Sequence, residues 1–416
     1  MARKVILLTG HGNLRPLWGL LAESYDLAFT TAAATQQAAG MGLPVVDLQS
    51  VVTADTIERA DNETALLTAA LVNGLPRIRA VFAGAYPESV APRALSTGVG
   101  SWLPGFMLGQ IRNLASNLAT VEALLAAREV AAVVVHEDVS PEYRALVLFA
   151  RSRGVQTIHL PHAPCHLLPG VVDIHRETLT DWILASGEGM ARFYRESGYP
   201  AERLMVVGAP QWDALYSDSQ PTREAARTVV GVPTLGLAEG APVICFASSW
   251  AQTTSLRGGF AAEMQAGFDS VVQLAKAIGA GLIVKTHPSE GQNEVAYAQA
   301  LRAAEVPGLV TRDHLPYVLR AADVVIAQGP SNLCLQAAIL GTPSAYIQTD
   351  GFDFAVDLPY RAAPGNLTAL AQAAETALTT RGDAQWDRFV SHYNAQHDER
   401  GGAAERAAAL IAGIAG

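Results

Sequence analysis

The chain has 416 residues, of which 50% are hydrophobic, 16% charged and 7% aromatic, and its formal net charge is −10. So much apolar mass with so little charge excludes a disordered protein, and the length leaves room for two domains with a core each. The acidic balance argues against a nucleic-acid partner, whose binding face needs a surplus of Lys and Arg.

The first apolar run, Val5-Ile-Leu-Leu8, breaks at Thr9-Gly10-His11-Gly12. It is too short for the core of a signal peptide and reads as a buried strand. Further short β-rich runs follow at Leu27–Thr30, Val45–Asp47, Ala131–Val135, Thr157–Leu160, Trp182–Ala185 and Leu204–Val207, with helical stretches between most of them. The clearest helix runs from about Leu103 to Val130, where Phe106, Met107, Ile111, Leu114, Leu118, Val121 and Leu125 form one apolar face that predicts core packing. The uncharged interval Ala94–Ile111 holds Pro104 and the glycines Gly98, Gly100, Gly105 and Gly109. It reads as a glycine-rich loop entering a buried helix, with a lid or a membrane-facing acceptor loop as the alternative.

After Gly208-Ala-Pro-Gln-Trp-Asp213 the pattern loosens through Tyr216–Pro221, a short Arg/Ala helix and a Gly/Pro-rich stretch over Gly231–Pro242. A second series then begins, with strands at Val243–Ala247, Gly281–Lys285, Gly308–Thr311, Val324–Ala327 and Ser344–Ile347. Helices at Phe260–Ile278, Glu294–Ala304, Leu315–Ala322 and Asn332–Leu340 separate them. Short strands alternating with helices are the signature of βαβ units around parallel sheets. The predicted organisation is an N-terminal doubly wound α/β domain over 1–215, a linker over 216–242 and a second such domain over 243–383. Helices over 384–416, broken at Gly401-Gly402, could pack back on the first domain.

The longest uncharged interval, Val324–Thr349, is cut by Gly329-Pro330 and Gly341-Thr-Pro343, so no transmembrane segment is predicted, which leaves peripheral membrane contact open. Cys165, Cys245 and Cys334 are far apart and show neither CxxC nor Cys/His spacing. Neither disulfides nor a structural metal is indicated, and a reducing cytoplasm is expected. The oligomeric state is not readable at this level.

In open parallel sheets, ligands gather where the carboxyl ends of strands meet helix N-termini. Lys285-Thr-His287-Pro ends one strand of the second domain. In extended chain Lys285 and His287 share a side, where a lysine can act as a point charge on phosphate and a histidine can donate to a phosphate or ribose oxygen. The alternative is a turn histidine with a proline that stops the strand. Gln328-Gly329-Pro-Ser331-Asn332 ends another strand and opens a helix whose free N–H groups and dipole suit an anion, or need only a plain cap. Ser248 and the loop from Ser249 through Arg257 to Gly258-Gly259 offer hydroxyls, glycines and one guanidinium to phosphate or sugar, a composition also common in ordinary loops.

In the first domain, Gly10-His11-Gly12-Asn13 lacks both dinucleotide-fold and Walker spacing and reads as an ordinary tight turn. His136-Glu137-Asp138 and His159-Leu-Pro-His162 end two further strands. Asp138, Glu137 and His162 are the candidate bases for a hydroxyl nucleophile, against a helix cap for the acids and a satisfied turn histidine for His162. The histidines lack the helical spacing of a zinc motif. No G-x-S-x-G elbow supports a serine hydrolase.

Lys285-Thr-His-Pro288, Leu319-Arg-Ala-Ala-Asp-Val-Val-Ile326, Gly329-Pro-Ser331 and Gln336-Ala-Ala-Ile-Leu-Gly341-Thr-Pro343 together resemble the second domain of GT-B glycosyltransferase-type proteins. The similarity is to bacterial capsule and surface-polysaccharide enzymes, including CDP-glycerol glycerophosphotransferases. Ser186-Gly187-Glu188 through Gly198-Tyr-Pro to Gly208-Ala-Pro-Gln-Trp-Asp213 resembles the passage into their interdomain linker. Where many carry Gln-His-Gly, this chain has Pro161-His162-Ala163.

The resemblance implies two Rossmann-like domains facing a cleft and transfer from a nucleotide-activated sugar or polyol donor to a saccharide or lipid-linked acceptor. It implies a nucleotide-diphosphate or nucleotide-monophosphate donor and no required cofactor or metal. The donor phosphates would be held by Lys285, His287, Ser331 and Asn332. UDP-N-acetylglucosamine 2-epimerases share the architecture, but their Asp-Ser-Gly-Gly turn and paired glutamates are replaced by Gln328-Gly-Pro-Ser331 and Cys334-Leu-Gln336. An epimerase, a hydrolase and a non-catalytic nucleotide-binding protein are the alternatives.

Overall fold

The computed structural model describes residues 3–85, 102–138, 140–162, 177–217, 219–248, 260–287, 293–312, 314–329, 331–348, 360–395 and 402–416. Strands β1 (Val5–Leu8), β2 (Asp26–Phe29), β3 (Val130–Val135), β4 (Gln156–His159), β5 (Trp182–Ala185) and β6 (Leu204–Val206) form a sheet of order β2-β1-β3-β4-β5-β6. Strands β7 (Val243–Ala247), β8 (Gly281–Lys285), β9 (Gly308–Thr311), β10 (Val324–Gln328), β11 (Ser344–Ile347) and β12 (Tyr360–Ala362) form a second, of order β12-β11-β10-β7-β8-β9. The pairings of β1 with β2 and β3, and of β7 with β8 and β10, are parallel. The two doubly wound α/β sheets expected from the sequence are therefore present.

The helices are α1 (Arg15–Ala22), α2 (Ala32–Gly40), α3 (Ala54–Ala85), α4 (Trp102–Ala127), α5 (Pro141–Ser152), α6 (Glu188–Glu196) and α7 (Arg223–Val230). They continue with α8 (Phe260–Ile278), α9 (Asn293–Ala303), α10 (Leu315–Ala321), α11 (Asn332–Ile339), α12 (Leu367–Thr379), α13 (Ala384–Tyr393) and α14 (Ala403–Ala415). Among the described residues no helix is long and apolar enough to cross a membrane. The chain divides into two compact units, one of Met1–Leu160, Leu179–Trp182 and Ala408–Gly416, the other of Pro161–Thr178 and Ile183–Ala407.

Parallel strands covered on both faces need continuous apolar runs. Val5-Ile-Leu-Leu8 and Val243-Ile-Cys-Phe-Ala247 meet that need, with every side chain buried. In the first unit, Val5, Leu7 and Val133 pack with Leu124 of α4 and Val147 of α5. In the second, Phe246 meets Phe268 of α8, which in turn meets Tyr297 of α9 edge-on.

Three elements depart from the sequence reading. Val45–Asp47 makes only an isolated bridge from Val45 to Leu27, because Asp47 accepts from Gln49 N–H at 3.0 Å and turns the chain into a 3-10 helix. The short strand β12 follows a stretch without strand periodicity. Pro104, Gly105 and Gly109 lie within α4, so the helix starts at Trp102, and Leu108 is exposed; the rest of the expected glycine-rich loop, 94–101, lies outside the described residues.

Two carboxylates hold the frame of the second unit. Asp213 accepts from the N–H groups of Ala403 and Ala404 at 3.1 and 2.8 Å, capping α14. Asp323 accepts from Arg223 at 2.7 Å, from Arg227 at 2.8 Å and from Val243 N–H at 2.8 Å, so it ties α7 to the start of β7. Charge-assisted hydrogen bonds are the strong ones. Asp323→Ala should lower stability by about 2 kcal/mol, read as a lower urea midpoint at unchanged slope.

Candidate functional site

In each sheet the chain leaves its first strand towards one edge and later returns on the other side of that strand. This reversal opens a crevice at the carboxyl ends of the strands. In the second sheet it lies between β7 and β10, and in the first between β1 and β3.

At the second-sheet switch point, Ser248 follows β7 and is buried. Its hydroxyl donates to the Lys285 carbonyl at 3.4 Å and accepts from the His287 N–H at 2.9 Å. This one hydroxyl fixes the chain just beyond β8 and so sets the position of His287, which is half-buried. Lys285 is only 6% exposed and its ammonium donates to the Thr286 carbonyl at 2.9 Å. It lies beneath the strand ends as a buried positive charge.

Beyond β10, Gly329 has φ +76°, a conformation that glycine adopts at no steric cost. Its N–H donates to the Ile347 carbonyl at 2.9 Å. The chain then enters α11, where the Ser331 hydroxyl accepts from Leu333 N–H at 3.2 Å. Asn332 donates to the His162 carbonyl at 3.4 Å, and Gln211 donates to the same carbonyl at 3.4 Å. His162 is therefore tied through its main chain to the start of α11. Gln328 is 2% exposed, and a Cβ on Gly267 of α8 would come within 2.3 Å of its Oε1, so its amide lies against α8. Neither amide atom has a partner among the described residues.

The first-sheet switch point carries a different set of groups. The rings of His11 and His136 stack at 4.2 Å with an interplanar angle of 14°, and Tyr143 meets His136 edge-on at 4.9 Å. Thr9, the first residue beyond β1, places its hydroxyl 2.9 Å from His136 Nδ1 and accepts from the His136 N–H at 3.2 Å. Glu137 is half-buried, and burial raises its carboxyl above the ordinary value, with His11 opposing the shift. Burial also raises the Tyr143 phenol, with help from Glu142 and Glu137. Asp138 is 0% exposed; it accepts from Leu179 N–H at 2.8 Å and sits 4.0 Å from the buried His159 ring, whose pKa burial lowers.

No protein-family model and no curated protein sequence matches the chain. Solved structures do. A UDP-GlcNAc 2-epimerase from Neisseria meningitidis bound to UDP-GlcNAc superposes with a TM-score of 0.57 at 12% identity, covering 99% of this chain and 100% of the other. A glycosyltransferase from Rickettsia africae superposes at 0.56 and 9% identity, covering 100% and 99%. The wall teichoic acid polymerase TagF, soaked with CDPG, superposes at 0.51 and 12% identity, covering 99% and 88%. The chain has the GT-B fold.

Within this GT-B chain the structure brings Ser248, Lys285 and His287 together at the ends of β7 and β8, with Gly329, Ser331 and Asn332 beyond the neighbouring β10. Arg257 lies outside the described residues. Of the three candidate bases, Glu137 stands in the switch-point cluster, Asp138 is buried beneath it as a support, and His162 belongs to the second unit. Sequence reasoning passed over Thr9, His11 and Tyr143. The only signal for the first two was a His-Gly step directly after the first strand.

The burial of Asp138 and Glu137 predicts opposite responses. Asp138→Ala strands the Leu179 N–H and should cost about 3 kcal/mol. Glu137 has a raised carboxyl pKa, so its ionised form opposes folding once the pH exceeds the ordinary carboxylate value. Glu137→Gln should therefore leave the urea midpoint at neutral pH unchanged or raised.

Proposed function

We propose that the chain is a transferase that moves a sugar or polyol unit from a nucleotide-activated donor to a hydroxyl acceptor in surface-polysaccharide synthesis. The observation that carries this reading is the second-sheet switch point, where Ser248 positions His287 beyond β8 and Ser331 caps the start of α11 beyond β10, the two strands that flank β7. The positive dipole end of α11 favours an anion there. The GT-B relatives with UDP-GlcNAc and CDPG support a nucleotide diphosphate as its ligand.

On this reading the diphosphate oxygens accept hydrogen bonds from the α11 terminus and from His287. Lys285 adds positive potential from below while staying bonded to the Thr286 carbonyl. Glu137 removes the acceptor hydroxyl proton; the freed oxygen bonds to the donor carbon or phosphorus, and the nucleotide leaves with the electron pair of the broken bond. No metal or cofactor is required for these steps, and the chain would act in the cytoplasm on a saccharide or lipid-linked acceptor. Epimerisation is disfavoured because α11 carries Cys334 and Gln336 in place of paired glutamates. Burial pushes the Cys334 thiol up to about 12, so it offers no base.

His287→Ala should weaken binding of at least one of UDP, CDP, CMP and GDP by tenfold or more in calorimetry; unchanged affinity for all that bind sinks the donor site. Glu137→Gln should keep nucleotide affinity and lower kcat by about 10²- to 10⁴-fold. In the parent enzyme activity should rise with pH through the Glu137 pKa, which lies above the ordinary carboxyl range, and the variant should lose that limb. NMR of the donor with no acceptor present separates the alternatives: a new sugar-nucleotide epimer marks an epimerase, and free nucleotide marks a hydrolase.

A further inference from the structure

Beside the first-sheet cluster lies a cavity of about 90 Å³ that none of the steps above uses. It is bounded by the end of β2, the turn after Asp47, one face of α4 and the first turn of α5, all within the first unit. Leu114, Leu118 and Leu146 supply an apolar wall, although the helical periodicity assigned the first two to plain core packing. Thr30 lines it too, and its hydroxyl oxygen is shielded from solvent without a partner among the described residues. A buried hydroxyl without a partner is costly, and a ligand hydroxyl satisfies it.

The charge at the cavity is one-sided. Asp47 and Glu142 line it, and among the described residues no Lys or Arg is in its lining. Glu142 is oriented by Asn117, which donates to Oε1 at 2.8 Å. Glu142 also raises the pKa of both Glu137 and Tyr143, so the cavity and the proposed base share one electrostatic environment. Tyr143 joins them physically: it lines the cavity and packs edge-on against His136.

We infer that this cavity is the acceptor subsite and takes an uncharged, hydroxyl-bearing end of a saccharide or polyol, to the exclusion of phosphorylated ends. The inference rests on the transferase reading and adds the acceptor class to it. The volume equals about three waters at roughly 30 Å³ each, enough for an exocyclic hydroxymethyl arm with the ring outside. Carboxylates and amide oxygens accept from sugar hydroxyls, and the leucines meet C–H surface. A phosphate in the same place would face Asp47 and Glu142 with no compensating cation among the described lining residues, and like charges at close range repel, most strongly at low salt.

The test is a saturation-transfer NMR titration of the full chain with glucose and with glucose 6-phosphate, alongside calorimetry with UDP and CDP. Glucose should bind, and glucose 6-phosphate should bind at least tenfold more weakly at low salt. Glu142→Gln should narrow that ratio, and Thr35→Trp, which fills the cavity from the half-buried face of α2, should remove glucose binding at unchanged nucleotide affinity. Equal or tighter binding of the phosphate, or glucose binding untouched by Thr35→Trp, overturns the subsite. If nucleotide binds and neither sugar does, the subsite fails and the donor reading stands. If glucose binds as described and no nucleotide does, the donor reading fails, and with it the acceptor role, while the cavity stands as a site for neutral sugar hydroxyls.

Discussion

A parallel strand cannot be joined to its neighbour by a tight turn, so the chain must cross back through a helix before the next strand begins. All strands of such a sheet then end on one edge, and where the winding direction reverses, the flanking connections diverge and leave a crevice. The first strands of the two sheets, β1 and β7, are fully buried and have no room for polar chemistry. Polar side chains stand instead just beyond the strands: Thr9 and His136 in one sheet, Ser248 and His287 in the other.

The two reversals are built with opposite electrostatics. The second has main-chain N–H groups, a helix dipole and the buried Lys285, which suit phosphate oxygens in a chain with three lysines in all. Its positive character comes from backbone geometry, so an overall charge of −10 is no obstacle. The first has Glu137 near the stacked imidazoles and the carboxylates of Asp47 and Glu142 in the lining of the neighbouring cavity. An aliphatic chain low in charge thus spends its few ionisable groups at strand ends and at frame positions such as Asp213 and Asp323.

Much of the architecture was legible because hydrophobic periodicity is local. The strands Trp182–Ala185, Val243–Ala247, Gly281–Lys285 and Ser344–Ile347 and the helix Phe260–Ile278 match their sequence-predicted bounds. The second-sheet candidates were legible too, since Lys285-Thr-His-Pro and Gly329-Pro-Ser each pair a strand end with a special residue type. The motif around Asp323 resembled a family signature, yet its aspartate proves to be a tie between α7 and β7. Val45–Asp47 was misjudged because a side-chain cap outcompeted a two-residue β tendency.

By itself the sequence determined most of the strands and helices, and which polar residues end them, because each depends on residues within a few positions of one another. Tertiary structure alone decided which of those ends meet. His11 and His136 are 125 positions apart and stack only because β3 docks beside β1. The same docking sorts adjacent acids into different environments, leaving Glu137 half-buried in the cluster and Asp138 sealed beneath it. Strand order is set by how crossover helices pack across long loops, and no local pattern encodes it.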